Sequence, residues 1–494
     1  MPRRVRSLTL PEWRDPELVF LDLADDARRV AWLDGGRDAR DGRSVIAVAV
    51  DGAPVVVASS NDHPDDVYAA LGSELGPVEL GDELDPGGRA AVGWHGWFGY
   101  EFGARTLGVP ASDSEAPAVA FFLADRVVVF EHGAHTVRLE WIEDDAGDAG
   151  AVRDWVRATA SAIAATEGDG AAPASSEPEG EPATYVATPA DTRWRHDADA
   201  YRRMIGECQA AIVRGDAYQL CLTNRVDVDA SPDPVAAYLR LRRSSPSHHG
   251  GFVRFDDVAL LSASPEQFLL VERDGTIATK PMKGTRPRSG DPATDLALRA
   301  ELSASEKERA ENLMIVDLMR NDLGRIAEVG SVQVPSLLEV EEYPHVHQLV
   351  STVTARLRHP LTALDAVRSA FPAGSMTGAP KLSAMTILHG LEQGPRGVYS
   401  GAFGCLGADG TADLAMVIRS ILLTPSGASI GTGGGITALS DPDEEVEETR
   451  VKARALIAVL GGEVPDIDHL PDAIPTADAA APDANAHRPP RPIE

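Results

Sequence analysis

Residues 415–460 read AMVIRSILLTPSGASIGTGGGITALSDPDEEVEETRVKARALIAVL, and the way this stretch divides decides the fold class. Ala415–Leu423 and Ala428–Ile430 are strand-like apolar runs. The glycine-rich segment Gly431-Thr432-Gly433-Gly434-Gly435 follows a strand, and a helix Pro442–Leu460 comes next. Asp441 can cap that helix, Pro442 suits its first turn, and Glu444 stands where a capping box needs an acid. At about 100° per residue, Glu445, Glu448 and Lys452 share one stripe, which Ala455, Leu456 and Val459 continue. The core-directed face therefore carries carboxylates at its N-terminal end, with Arg450 and Arg454 expected on the solvated side. The helix dipole also favours acids in a first turn, which accounts for Glu444 and Glu445 better than for Glu448.

The same mixture extends upstream. A helix carries Tyr201, Met204, Ile205, Cys208 and Ile212 on one face, and Gly215 stops it. Further helices are expected over Ser305–Leu323 and Pro380–Leu388, and strands over Leu220–Val226, Val258–Ser262, Phe268–Val271 and Val398–Leu406. Short turns such as Asp409-Gly410 join several strands, which points to antiparallel sheets with helices outside, an α+β fold. Residues 1–165 read as a smaller α+β domain with strand runs at Ser44–Val50, Val55–Ser59, Arg126–Phe130 and Val137–Ile142, the last two as a hairpin. Residues 166–192 are rich in Gly, Pro, Ser, Ala and Glu and read as a flexible linker. Residues 193–464 form the main domain, and 465–494 read as a disordered tail.

The chain has 494 residues and a net charge of -30, from 46 basic and 76 acidic side chains. That balance argues against nucleic acid or an anionic membrane as partner, and it demands a local cationic site if the substrate is an anion. Three distant cysteines, Cys208, Cys221 and Cys405, suggest neither disulfides nor zinc and fit a reducing cytoplasm. No apolar run approaches a membrane span, and the N-terminus lacks the apolar core of a signal peptide.

Lys280-Pro281-Met282-Lys283-Gly284-Thr285-Arg286-Pro287-Arg288 reads either as a basic surface turn or as a site for chemistry on an anion. Lys283 would have to lose a proton to act as a nucleophile, at a cost of about 4–5 kcal/mol at pH 7. Burial and the cations Lys280, Arg286 and Arg288 would lower that cost. In the helix Ser305–Leu323, Ser305 and Glu308 form a second capping box, and Glu311 sits beside the apolar Leu313–Val316. Glu311 with Glu448 and waters would suit Mg²⁺, which takes one or two carboxylates plus substrate oxygens. A surface glutamate in the run Glu306–Glu311 is the alternative. Gly431–Gly435 is not a dinucleotide fingerprint, because Ile436 replaces the third glycine. It reads as a cradle for a carboxylate or as a tight turn. Gly374–Lys381 could offer a hydroxyl and N–H groups to a ligand, or simply enter a helix. His347 is either a core residue or a pocket residue. Arg419, in the apolar run Met416–Arg419, wants an anionic partner. Gly404-Cys405-Leu406-Gly407 imitates part of an amidotransferase elbow, but the following His-Gln is absent.

Taken together, these motifs resemble the chorismate-utilising enzymes, and within them the aminodeoxychorismate synthase component I group. The carriers are Gly215–Gln219, Ser264-Pro265-Glu266, Pro281–Thr285, Ala310–Leu318, Gly374–Lys381, Tyr399-Ser400-Gly401, Gly431–Gly435 and Glu447–Arg450, with a looser match at Gly96–Glu101. The resemblance implies a chorismate-binding fold of two packed, largely antiparallel sheets flanked by helices, and Mg²⁺ on Glu311 and Glu448 with Glu445 nearby. It also implies substrate contacts from Tyr399, Arg419, Lys452 and the backbone of Gly433, Gly434 and Gly435. Thr285, His347, Thr377 and Gly378 are further pocket residues by the same likeness, and Glu266 is the acid/base. Anthranilate synthases, the alternative, carry alanine where Lys283 stands; in the resembled group the lysine attacks chorismate and ammonia displaces it. Gln219 stands where water-using relatives have lysine, which favours ammonia. A glutamine amidotransferase on a separate chain would supply that ammonia. Met282 departs from the usual isoleucine, a mild apolar change.

Overall fold

The computed structural model describes residues 3–25, 27–75, 78–81, 88–143, 149–165, 190–343 and 345–462. Almost all of the expected linker and the whole of the expected tail lie outside the described residues. Two largely antiparallel sheets, of 13 and 10 strands among the described residues, carry the fold, with helices packed around them. In each sheet the strands of residues 3–143 form one block and those of residues 192–436 another. The blocks meet at two seams. Arg29–Asp34 pairs with Gly250–Phe255 in the larger sheet, and Gly93–Phe98 pairs with Ala402–Gly407 in the smaller. The facing aromatic side chains Trp32, Phe252, Trp97 and Phe403 are all buried at those seams.

Several expected elements appear nearly as read. Ala198–Arg214 is a helix closed by Gly215 in the left-handed conformation. Glu306–Gly324 starts at Ser305, whose side chain accepts from the Glu308 amide. Pro442–Val459 starts at Asp441, whose carboxylate accepts from the amides of Asp443 and Glu444. Arg126–Glu131 and Thr136–Glu143 form the anticipated hairpin.

Three readings need correction. The run Ala415–Leu423 is two strands, Ala412–Met416 in the smaller sheet and Ser420–Thr424 in the larger. Between them the chain crosses from one sheet to the other, and Arg419 takes the left-handed conformation at φ 51°. The apolar pattern alone could not show this break, because both halves are buried strands. Val398–Ser400 is a turn and the strand begins at Ala402. Gly431–Gly435 does not follow a strand; it lies inside one, Gly427–Ile436, paired with Gln219–Val228.

The last helix also turns slightly from its expected face. Its buried line runs through Glu445, Val446, Thr449, Ala453, Leu456 and Ile457, whereas Ala455 is exposed. Glu448 and Lys452 flank that line and are partly exposed, and Arg450 is drawn in with 18% of its side chain accessible.

Candidate active site

The candidate residues come from both sheets and from two helices. Gln219 and Gly433–Gly435 lie on paired strands of the larger sheet. Lys283 lies on Met282–Pro287 of the smaller sheet, and Glu266 immediately precedes that sheet's strand Gln267–Val271. Glu311 projects from the helix Glu306–Gly324, and Glu445, Glu448 and Lys452 project from Pro442–Val459.

Two consecutive glycines mark the point of convergence. A Cβ at Gly435 would stand 3.3 Å from Lys283 Nζ and 3.3 Å from Glu311 Oε2, and would collide with the Gln219 amide nitrogen. A Cβ at Gly434 would stand 2.7 Å from Glu445 Oε2 and 3.9 Å from Glu448 Oε1. Side chains crowd both faces of this strand and leave room only for glycine.

The same strand has an open edge. Its pairing with Ser420–Thr424 stops at Ile430. On the other side, Cys221 and Thr223 turn their amides away, to the Thr377 carbonyl and the Glu392 carboxylate. Residues opposite one another in an antiparallel pair alternate between bonding each other and bonding outward. Gly435 and Gly433, opposite Cys221 and Thr223, therefore present their backbone groups to the open edge. The Gly433 carbonyl there accepts from Lys452 Nζ at 2.8 Å. The glycine run is thus the edge of a strand rather than a loop.

Each carboxylate near these glycines is answered by a lysine. Lys283 Nζ is 3.4 Å from Glu311 Oε2, Lys452 Nζ is 2.6 Å from Glu448 Oε1, and Lys307 Nζ is 3.3 Å from Glu445 Oε1. Burial would lower the pKa of Lys283, but Glu311, with Glu448 and Glu266 further off, raises it overall. This reverses the effect anticipated from Lys280, Arg286 and Arg288. Arg286 is committed to Glu301 and Arg288 to Asp295, so neither cation acts on the amine as supposed. Burial raises the pKa of Glu445 and Lys452 helps lower that of Glu448 against the opposing effect of burial. Lys283 keeps 17% of its side chain accessible, enough to meet a ligand without lying in open solvent.

Glu266 is buried, and burial pushes its pKa up to about 7 against the opposing effects of the Ser375 hydrogen bond and Lys283. A carboxyl poised at neutral pH can both give and take a proton. Arg419 is exposed, contrary to the reading of a buried strand residue, and its guanidinium makes no ion pair among the described residues. Tyr399 packs its ring against Gly431. Gln219 is buried, with its carbonyl oxygen lacking a partner among the described residues.

Other expected pocket residues are placed less directly. The Thr377 hydroxyl bonds within its own loop to Ala373 and Gly374, while Gly378 abuts the Gln219 backbone. Thr285 is exposed two residues beyond Lys283, past a bulge at Gly284 whose φ is +70°. His347 is buried and bonds Asp295 at 3.0 Å, in a network with Arg288. Cys405 is a buried strand residue whose sulfur bonds the Ala91 carbonyl, and burial pushes its thiol up to about 12.

Sequence reasoning missed Lys307 and Arg396. Lys307 lies four residues before Glu311 on the same helix, a spacing that could have flagged it. Arg396 is buried, forms an ion pair with Glu392 at 2.7 Å, and donates to the carbonyls of Met376 and Cys221 and to the Ser400 hydroxyl. It thereby ties the turn bearing Tyr399 to the Gly374–Met376 loop and to the strand of Gln219. A small cleft lined by Arg225, Arg396, Tyr399 and Gly431 includes none of Lys283, Glu311 or Glu448.

Residues 33–458 match the family described as chorismate binding enzyme. The chain belongs to that family. This chorismate-binding enzyme is 41% identical over 97% of its length to the aminodeoxychorismate synthase of Streptomyces griseus, and covers 68% of that protein. It is 44% identical over 75% of its length to the aminodeoxychorismate synthase of Streptomyces pristinaespiralis, and spans about half, 51%, of that relative. Among solved structures it resembles anthranilate synthase component I from Streptococcus pneumoniae TIGR4, with a TM-score of 0.70, 28% identity, and 91% and 98% of the two chains covered. The two-sheet α+β architecture implied by the motifs is thus the architecture of the family. No helix among the described residues is long and apolar enough to cross a membrane.

Proposed function

We propose that this chain aminates chorismate at C4, yielding 4-amino-4-deoxychorismate for p-aminobenzoate formation, in folate or specialised metabolism. The observation that carries this reading is Lys283, whose amine stands beside Glu311 and the Gly435 strand edge, with Glu266 poised near neutral pH. Both Streptomyces relatives bear the name of the same synthase.

Chorismate is a dianion, and burying an unpaired carboxylate costs several kcal/mol. Arg419, Lys452 and the amides of Gly433 and Gly435 offer a receptor for one carboxylate. The donor set around Gly434 and Gly435 is made of hard carboxylate oxygens, which suits Mg²⁺. Glu311 and Glu448 would hold the ion, with Glu445 nearby, replacing the lysine ammonium groups as counter-charges. Among the described residues no three His, Cys, Asp or Glu side chains form a ready metal site. Bound there, Mg²⁺ would offset and orient a substrate carboxylate.

The chemistry of the side chains is then as follows. Lys283 first sheds its proton to solvent, and the free amine bonds to C2 as both ring double bonds shift and the C4–O bond breaks. Glu266 gives its proton to the departing hydroxyl, which leaves as water. Ammonia bonds to C4, both double bonds return to their places, and the C2–N bond breaks to release Lys283. The proton shed by the new amine returns to Glu266. A buried Gln219 carbonyl oxygen without a partner can accept an N–H from the incoming ammonia. A glutamine amidotransferase on a separate chain would supply that ammonia in the cytoplasm.

Incubation with chorismate, Mg²⁺ and ammonium, with the product separated after lyase addition, tests the reading. A para-amino product is expected, and an ortho-amino product would assign anthranilate synthesis instead. Mass spectrometry of wild type should trap a substrate adduct on Lys283, and Lys283→Ala should show none. Absence of any adduct under turnover in wild type would remove the covalent route.

A further inference from the structure

Glu266 is held by a contact that the motifs did not single out. Ser375 Oγ donates to Glu266 Oε1 at 2.8 Å, and both residues are only 6% exposed. Glu266 itself is fixed by its backbone, since its carbonyl accepts from the Met416 amide and its own amide bonds Ser264 Oγ. Ser375 is fixed by the short 3₁₀ turn Gly374–Met376. That turn is pressed onto the helix bearing Glu311: a Cβ at Gly374 would stand 2.7 Å from Leu318 Cδ2 and 3.1 Å from Leu318 Cγ. Arg396 holds the far end through the Met376 carbonyl. The hydroxyl is thus delivered to the carboxyl from a rigid support.

We propose that Ser375 is a positioning residue for Glu266: by occupying Oε1 it leaves Oε2 as the oxygen that exchanges a proton with the ligand. This rests on the reading of Glu266 as acid and base. A hydroxyl donor also favours the ionised carboxylate, so it sets how readily the proton is given up. Among the described residues, Lys283 is the charged side chain whose field bears on Glu266. It faces Glu266 from Met282–Pro287, while Gly374–Met376 and the adjoining Ala415-Met416 bring no charge.

The test uses the full chain with Ser375→Ala, Ser375→Cys and Ser375→Thr. Difference infrared spectroscopy follows the protonated carboxyl band against pH, and its loss in Glu266→Gln assigns it. Ser375→Ala should move that titration up by about one pH unit, the order of one charge-assisted hydrogen bond. Ser375→Thr should titrate as wild type and Ser375→Cys in between, at unchanged melting temperature. In turnover, kcat should fall by roughly 10–100-fold in Ser375→Ala with KM for chorismate held, and the pH profile should move with the band. An unmoved band in both Ser375→Ala and Ser375→Cys, or a Thr variant as impaired as Ala, overturns the proposal. A band that moves in an enzyme forming no amino product upholds the positioning of Glu266 and rejects the proposed reaction instead.

Discussion

At Gly435, a single methyl group would compete with three functional atoms. A Cβ there collides with the Gln219 amide and stands 3.3 Å from Lys283 Nζ. Gly435→Ala should leave the melting temperature within a few degrees, because the strand geometry suits any residue. It should reduce kcat/KM by about 10²-fold, the scale associated with a 1 Å misplacement of reacting groups. Steady-state kinetics with ammonium as nitrogen source checks this, and near-normal turnover would place the reacting centre elsewhere. Lys283 shows how far residue-level reading reaches. Its neighbours in sequence are cations, but its neighbour in space is Glu311. A motif reveals that the amine matters; its protonation state depends on a carboxylate on another element, beyond any local window.

At the scale of elements, the helix Glu306–Gly324 has to hold Glu311 against the strand of Lys283. Asn312 does this from inside. Its amide donates to the Pro281 and Leu349 carbonyls at 3.3 and 3.4 Å, and its oxygen accepts from Ser351. The C-terminal end of the helix is held by Asp322, whose carboxylate meets Lys381 Nζ at 2.6 Å with both side chains nearly buried. Burial raises the pKa of Asp322 and lowers that of Lys381, each opposed by its partner. Removing one member leaves the other charge uncompensated, at a cost of about 3–5 kcal/mol. Lys381→Met should therefore lower stability by that order in urea unfolding, and Lys381→Met with Asp322→Leu should recover most of it. Equal destabilisation by the single and double variants would refute the coupling. The start and body of this helix were legible: Ser305 marks the one and the apolar run the other. The break at Val417–Arg419 was not, because a strand that changes sheets keeps its apolar pattern on both sides of the crossing.

For the whole molecule, two buried carboxyls set a pH dependence. Glu101 accepts from the amides of Arg396 and Gly397, yet burial still pushes it up to about 7, as it does Glu266. The unfolded chain would titrate near 4.3. Between these values the folded state binds more protons than the unfolded, so stability falls as pH rises through that window. Burial pushes His95 down to about 4 and His248 down to about 3, and both act with the opposite sign. The measurement is therefore a difference: the melting temperature of wild type minus that of Glu101→Gln with Glu266→Gln should decline from pH 5 to pH 7.5. A difference that stays flat or rises over this range would show that these acids are ionised when folded. The net charge of -30 adds repulsion of the same sign with rising pH, and added salt should reduce only that part.

The sequence by itself determined the α+β class, the capped helices and the family, because caps, periodicity and ordered motifs are local. Tertiary structure alone decided that the glycine run is a strand edge, that Arg419 stands free at a crossing between sheets, and that Lys283 is paired with Glu311. Each of those depends on which segments lie side by side after folding. Distance along the chain carries no record of that arrangement, and hydrogen bonding and charge respond to it at a range of a few ångströms.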